Sequence, residues 1–475
     1  MTTSQPLLVA GRWEESDLEL VSIAPGTGDE IGRTFRATAE QLERATAAAV
    51  TAFEVTRKLA SFERSAILRR IAVGIEENRA ELGELLAREA GKPLADSLTE
   101  VDRTSFTFRH AGEEAERITG ELIPLDVIGT SRGKWAVTRR VPIGPVAGIS
   151  PFNVPLSLSA HKLAPAIAAG NTIVLKPDSR VALTLLLLAR IMVDAGVPEG
   201  ALSMLPMDVD VADALVTDPR FRLLSFTGSA RVGWDMKARA GTKNVVLELG
   251  GDGAVIVAAD ADLDHVIKRV LVGSFKYAGQ ICISVQRIFV HESLVAEFTE
   301  RMVAGAKALK VGPPLDPSSE LGPMISEAAA ARMLDMVDEA VKAGANLLAG
   351  GSRDGSYVEP TVLDAVPTDV TLATEEAFAP VVFIEPFAEI SDAIARVNES
   401  RYGLQAGVFT RDLRAIWAAF NDLDVGGVII NDVPTYRVDH MPYGGVKDSG
   451  IGREGIRYAI EHMTELRTLV ITPDS

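Results

Sequence analysis

The feature that most constrains this chain is the alternation of short apolar strands with loops and helices from Val146 to Gly251. Val146-Ala147-Gly148-Ile149 reads as a buried strand running into Ser150-Pro151-Phe152-Asn153-Val154-Pro155. Thr172 to Leu175 is a second strand, ending in Lys176-Pro177-Asp178-Ser179, and a helix follows through Leu185 to Val193. Leu223-Leu224-Ser225-Phe226 is a third, leading into Thr227-Gly228-Ser229-Ala230-Arg231-Val232-Gly233. Such strands, spaced by helices, imply an α/β protein with a parallel, doubly wound sheet. A strand, a glycine-rich turn and a helix start also gather unpaired N–H groups into a phosphate site. The spacing here is G-x-x-x-x-G and not the G-x-G-x-x-G dinucleotide fingerprint.

The alternation resumes further on, with helices expected over 294–309 and 328–343 and strands over 345–349, 381–384 and 428–430. With 475 residues, 47% of them hydrophobic, the chain can bury two or three cores. No repeat or low-complexity linker divides it, so interleaved domains are expected. Thr38 and Gln41 form a capping-box signal for a helix. Ser131 to Arg140 and Glu465 to Thr472 read as exposed strands, either ordinary sheet edges or surfaces for another subunit.

Three separate stretches carry chemistry. Cys282 is the only cysteine and lies in Gly279-Gln280-Ile281-Cys282, ahead of a strand expected over 284–290. A lone cysteine is more often a small core residue than a nucleophile. Upstream, Glu248 ends an apolar run before Gly250-Gly251. A thiol that attacks and a carboxylate that handles a proton are the minimum for covalent catalysis. Asn153, between two prolines, is held so that its amide can donate to a developing oxyanion, or simply serves a turn.

Taken in order, Pro151-Phe152-Asn153-Val154-Pro155, Lys176-Pro177, Phe226-Thr227-Gly228-Ser229, Leu247-Glu248-Leu249-Gly250-Gly251, Gly279-Gln280-Ile281-Cys282, Glu376-Ala377-Phe378 and Pro442-Tyr443-Gly444-Gly445 resemble the aldehyde dehydrogenase superfamily over almost the whole chain. The resemblance implies Cys282 as nucleophile, Glu248 as general base and Asn153 as oxyanion donor. It implies NAD or NADP as cofactor. Lys176 would meet the adenosine ribose, and Thr227, Gly228, Ser229 and Gly233 the pyrophosphate turn. Glu376 would bind the nicotinamide ribose and Phe378 flank the nicotinamide, with Leu249 and Gly250 also contacting the cofactor. It further implies a Rossmann-type nucleotide domain (1–120 and 140–250, with 441–455), a catalytic domain (251–440) and oligomerisation strands (121–139 and 456–475). A homodimer or homotetramer follows.

Departures from the family pattern matter. Ser179 stands where many NAD-dependent members carry a glutamate, and Arg180 follows it, which eases entry of a 2′-phosphate. The loop Pro434 to His440 resembles the lactaldehyde and non-phosphorylating glyceraldehyde-3-phosphate branches. There Arg437 and His440 would bind a small polar or anionic aldehyde, such as a semialdehyde, or Arg437 would merely pair with Asp439 on the surface. A CoA-acylating relative and an inactive scaffold on the same fold are the rival readings, and Glu248 argues against the first.

Composition excludes other classes. A net charge of −17 repels nucleic acid. The densest apolar run, Val181 to Ala189, is too short to span a bilayer. One cysteine and six unclustered histidines leave no metal-site spacing and no internal disulfide, which fits a reducing cytoplasm.

Overall fold

The computed structural model describes residues 4–472. The alternation expected from Val146 onward is present as a sheet of eight strands. Its order is Arg12–Glu14, Leu7–Val9, Leu202–Met204, Ile173–Lys176, Val146–Ile149, Leu223–Thr227, Asn244–Glu248 and Gly450–Ile451. The five strands from Leu202–Met204 to Asn244–Glu248 are parallel, and the outer strands run antiparallel. The order reverses between Val146–Ile149 and Leu223–Thr227. Loops leaving the two strands there diverge and open a crevice at their carboxyl ends. The helix Pro155–Ala169 starts on a proline at its first turn and is buried along its whole length.

A second sheet holds Asn346–Ala349, Thr361–Asp364, Val381–Phe387, Arg287–His291, Ala254–Val257, Gln405–Phe409 and Gly427–Ile430, parallel except for the first. Cys282 precedes Arg287–His291, and Glu376 and Phe378 precede its neighbour Val381–Phe387. The second sheet therefore turns its strand starts toward the strand ends of the first.

Two sequence expectations change. The strand after Cys282 begins at Arg287, because Ser284 N–H closes a turn on Ile281 O (2.8 Å) and the Gln286 side chain braces the loop at 372–377. The exposed strands Trp135–Pro142 and Thr464–Ile471 pair with each other in a three-stranded sheet with Leu122–Pro124. Thr464–Ile471 is left as an edge with Leu466, Leu469 and Val470 exposed. The capping box at Thr38 and Gln41 is formed. No helix among the described residues is long and apolar enough to cross a membrane.

Candidate active site

Cys282 leaves a turn under strain. Tyr277 (φ 52°), Ala278 (φ 50°) and Gly279 (φ 66°) are all left-handed, a conformation that costs non-glycine residues about 1–3 kcal/mol each. Gly279 is obligatory, since a Cβ there would strike the Ala379 carbonyl. Gln280 is fully buried, its Oε1 accepting from Ile325 N–H at 2.9 Å. Its carbonyl accepts from Asn153 Nδ2 at 2.9 Å, tying the amide to the thiol loop. One amide hydrogen of Asn153 remains for a ligand. The Asn153 loop is anchored from below. Glu100 accepts from Leu156 N–H (2.8 Å) and Ser157 N–H (3.3 Å) at the next helix start and is paired with buried Lys92.

Glu248 ends its strand pointing into the same space. Both carboxylate oxygens are buried and accept no hydrogen bond from any described residue. A Cβ on Gly444 would lie 2.9 Å from its Oε1, and one on Gly251 would lie 2.8 Å from the Cys282 carbonyl. These glycines let the three segments close on one another. Burial, and then the charge of Glu454, push the Glu248 carboxyl well above its usual range. Burial pushes the Cys282 thiol up to about 12, opposed by the Tyr443 hydroxyl at 2.9 Å.

Behind this cluster lies a buried ionic chain. Lys162 Nζ donates to Thr227 Oγ1 (2.7 Å) and sits 3.8 Å from Glu454. Glu454 accepts from Arg437 Nη2 at 2.9 Å. His161 lies within 3.1 Å of Asp439, which Arg103 also holds at 2.7 Å. Burial would raise Glu454, but Arg437, His161 and Lys162 hold it below the ordinary carboxylate range. Arg437 and Asp439 do approach, at 4.0 Å, but inside the protein and not on its surface. The atom that faces Asp439 is Arg437 Nε, which is buried and makes no hydrogen bond to a described residue. His440, expected beside Arg437, is exposed and packs near His110 and Phe106. The two part because Asp439 is drawn inward between them. Tyr443, Lys162, His161 and Glu454 were not assigned from sequence. The visible signal was His161-Lys162, the two ionisable residues of a helix that has no other.

The crevice on the first sheet encloses about 800 Å³ and is lined by Lys176, Arg180, Thr227, Gly228 and Ser229 among others. Ser229 caps the helix Ala230–Arg239 without a side-chain bond, so the first N–H groups face the cleft. Gly233 packs under Leu249 and Phe226, where a Cβ would clash. Burial lowers the Lys176 ammonium. Arg180 is paired with Asp178 (2.6 Å) and stacks on Phe152 at 4.2 Å, with Ser179 beside it on the same turn. Phe152 meets Phe378 edge-on at 6.0 Å. Glu376 accepts from Gly251 N–H at 3.0 Å and packs against Gly250, and burial raises it to about 7.

A nucleotide-sized cleft on one sheet, linked through Phe152 and Asn153 to the loop that carries a lone thiol, suits covalent catalysis beside a dinucleotide. Comparison with known proteins makes this specific. The model of the aldehyde dehydrogenase family matches residues 13–469. The 3-sulfolactaldehyde dehydrogenase of Priestia megaterium is 42% identical over 466 residues, 98% of this chain and 97% of that protein. Among solved structures, aldehyde dehydrogenase 21 from Physcomitrella patens, in complex with the reaction product succinate, is 44% identical with a TM-score of 0.98. The match covers 99% of this chain and 98% of that one. Glyceraldehyde-3-phosphate dehydrogenase GapN from Methanocaldococcus jannaschii, complexed with NADP, is 40% identical with a TM-score of 0.92, covering 96% and 99%. The chain therefore belongs to the aldehyde dehydrogenase family.

Proposed function

We propose that this enzyme oxidises a small polar or anionic aldehyde to its carboxylic acid, with Cys282 as nucleophile, Asn153 as oxyanion donor and Glu248 as general base. The observation that carries the reading is a buried carboxylate with both oxygens unpartnered, packed through glycines against the lone thiol's loop. The Cys282 thiol gives up its proton to solvent, and the thiolate attacks the carbonyl carbon. The remaining Asn153 N–H and the Cys282 backbone N–H receive the new alkoxide. Collapse of the alkoxide expels hydride and leaves a thioester on Cys282. Glu248 takes a proton from water, which attacks the thioester and releases the acid.

The crevice fits NAD or NADP, whose pyridinium ring supplies the hydride acceptor when bound. Lys176 and Ser179 face the adenosine ribose in this reading, and the Thr227-Gly228-Ser229 turn and its helix start hold the pyrophosphate. Glu376 takes the nicotinamide ribose, with Leu249, Gly250 and Phe378 beside it. Ser179 places no carboxylate where one would repel a 2′-phosphate, and Arg180 lies beside it in the cleft, held by Asp178 through two hydrogen bonds. We infer that NADP is accepted, in line with the NADP complex of the GapN relative.

The sulfolactaldehyde, lactaldehyde and semialdehyde activities named for relatives support an anionic or hydroxylated substrate. Absorbance at 340 nm tests the whole reading. Lactaldehyde, glyceraldehyde 3-phosphate and succinic semialdehyde should outperform an apolar aldehyde of equal length with either cofactor, and added CoA should not change the rate. A preference for apolar aldehydes, or a strict need for CoA, refutes it.

The edge strand Thr464–Ile471, with its exposed Leu466, Leu469 and Val470, supports a homodimer or homotetramer. We propose that the nucleotide, catalytic and oligomerisation parts are built on the two large sheets and this small one.

A further inference from the structure

The reaction above leaves Tyr443 without a part. Its hydroxyl stands 2.9 Å from Cys282 Sγ, and only 3% of the residue is exposed. The Arg437 guanidinium lies over the ring, 3.9 Å from its centre. Arg437 is itself fixed by Glu454 at 2.9 Å and stands 3.0 Å from His161. We propose that Tyr443 is a catalytic residue whose hydroxyl donates a hydrogen bond to the Cys282 thiolate, with Arg437 as the positioning residue that holds the ring. The proposal rests on Cys282 being the nucleophile.

While the thiol is neutral, either group can donate. Once sulfur is ionised only the phenol can, so the bond direction is forced and becomes charge-assisted. A cation over the ring face draws density from the phenol and strengthens its O–H as a donor. The phenol keeps its own proton, because burial pushes Tyr443 well above its usual range. It gives a hydrogen bond and transfers nothing. Against the burial that raises the thiol, the Tyr443 hydroxyl is the largest opposing influence and Arg437 the next. When sulfur bonds the aldehyde carbon, its charge passes to the carbonyl oxygen. The hydroxyl therefore favours the thiolate before attack and is released as the adduct forms.

Because Cys282 is the only cysteine, alkylation by iodoacetamide followed by intact mass reads this sulfur alone. For Tyr443→Phe, the midpoint of the alkylation rate against pH should rise by about one unit, a tenfold smaller thiolate fraction below both midpoints. The acylation rate should fall in step and recover at high pH, with the KM for the cofactor unchanged. Arg437→Lys keeps the charge but not the planar stacking and should give a smaller rise. Midpoints unmoved or lowered in both variants overturn the proposal, even if turnover drops. Turnover that survives in Cys282→Ala would instead overturn the nucleophile assignment, whatever the midpoints.

Discussion

Glu89 and Asn171 are buried in the body of the protein, and Glu248 and Asn153 are buried at the cleft. The two pairs match in type and burial but not in partners. Glu89 accepts from Ser22 Oγ (2.9 Å), Leu183 N–H (3.1 Å), Thr184 N–H (2.8 Å) and Thr184 Oγ1 (2.6 Å). It thereby satisfies the start of the helix Ala182–Asp194. Asn171 accepts from Gly144 N–H (3.0 Å) and donates to Met463 O (2.8 Å). Among the described residues, none donates a hydrogen bond to either oxygen of Glu248 or to Asn153 Oδ1. A buried polar atom left unmatched costs about 1–3 kcal/mol. Saturated side chains join elements together, and unsaturated ones in a cleft are kept for something that arrives.

The strongest break in this contrast is Glu248→Gln. It removes the proposed base while nearly preserving shape, so hydrolysis of the thioester should slow by about 10²–10⁴. The acyl-enzyme should accumulate at Cys282 by intact mass, with no loss of thermal stability. Undiminished hydrolysis would move the base elsewhere. Next is Asn153→Ala, which should cost about 10²–10³ in acylation rate, read in a single turnover, while cofactor affinity holds. A comparable loss in Asn171→Ala, measured per folded molecule, would erase the distinction between the two asparagines.

Sequence reached one side of this contrast better than the other. The parallel sheet was legible from strand-and-loop alternation because periodicity and turn chemistry are local. The positions of Cys282, Glu248 and Asn153 stood out because each lies in a recognisable local stretch, while the roles proposed for them came from the resemblance. The partners were not legible. Arg103 meets Asp439, and Lys162 meets Glu454, across most of the chain, and no local pattern announces such pairings. Nor does spacing reveal that Asp439 turns inward and carries Arg437 to the buried side and His440 to the outside. Tyr443 lay within a motif, but its bond to sulfur exists only once the two sheets face each other.

The saturated side yields the smaller effects. Glu89→Gln puts an NH₂ where donors already converge, and should cost about 1–3 kcal/mol in denaturant unfolding with activity per folded molecule unchanged. A finer test is pH. Burial raises Glu89 from 4.5 to about 7 against the pull of its four hydrogen bonds. A carboxyl whose folded value is raised holds its proton longer in the native state. Its contribution is fully present below about 4.5 and is lost as pH rises through about 7, at no more than about 1.4 kcal/mol per unit. The stability gap between the native protein and the E89Q variant should therefore be widest in acid and narrow toward neutrality. Should the gap widen instead, the four donors outweigh burial and hold Glu89 as an anion. That outcome would sharpen the comparison, because Glu248, with the same burial and no donors, would then owe its raised affinity for a proton to its missing partners.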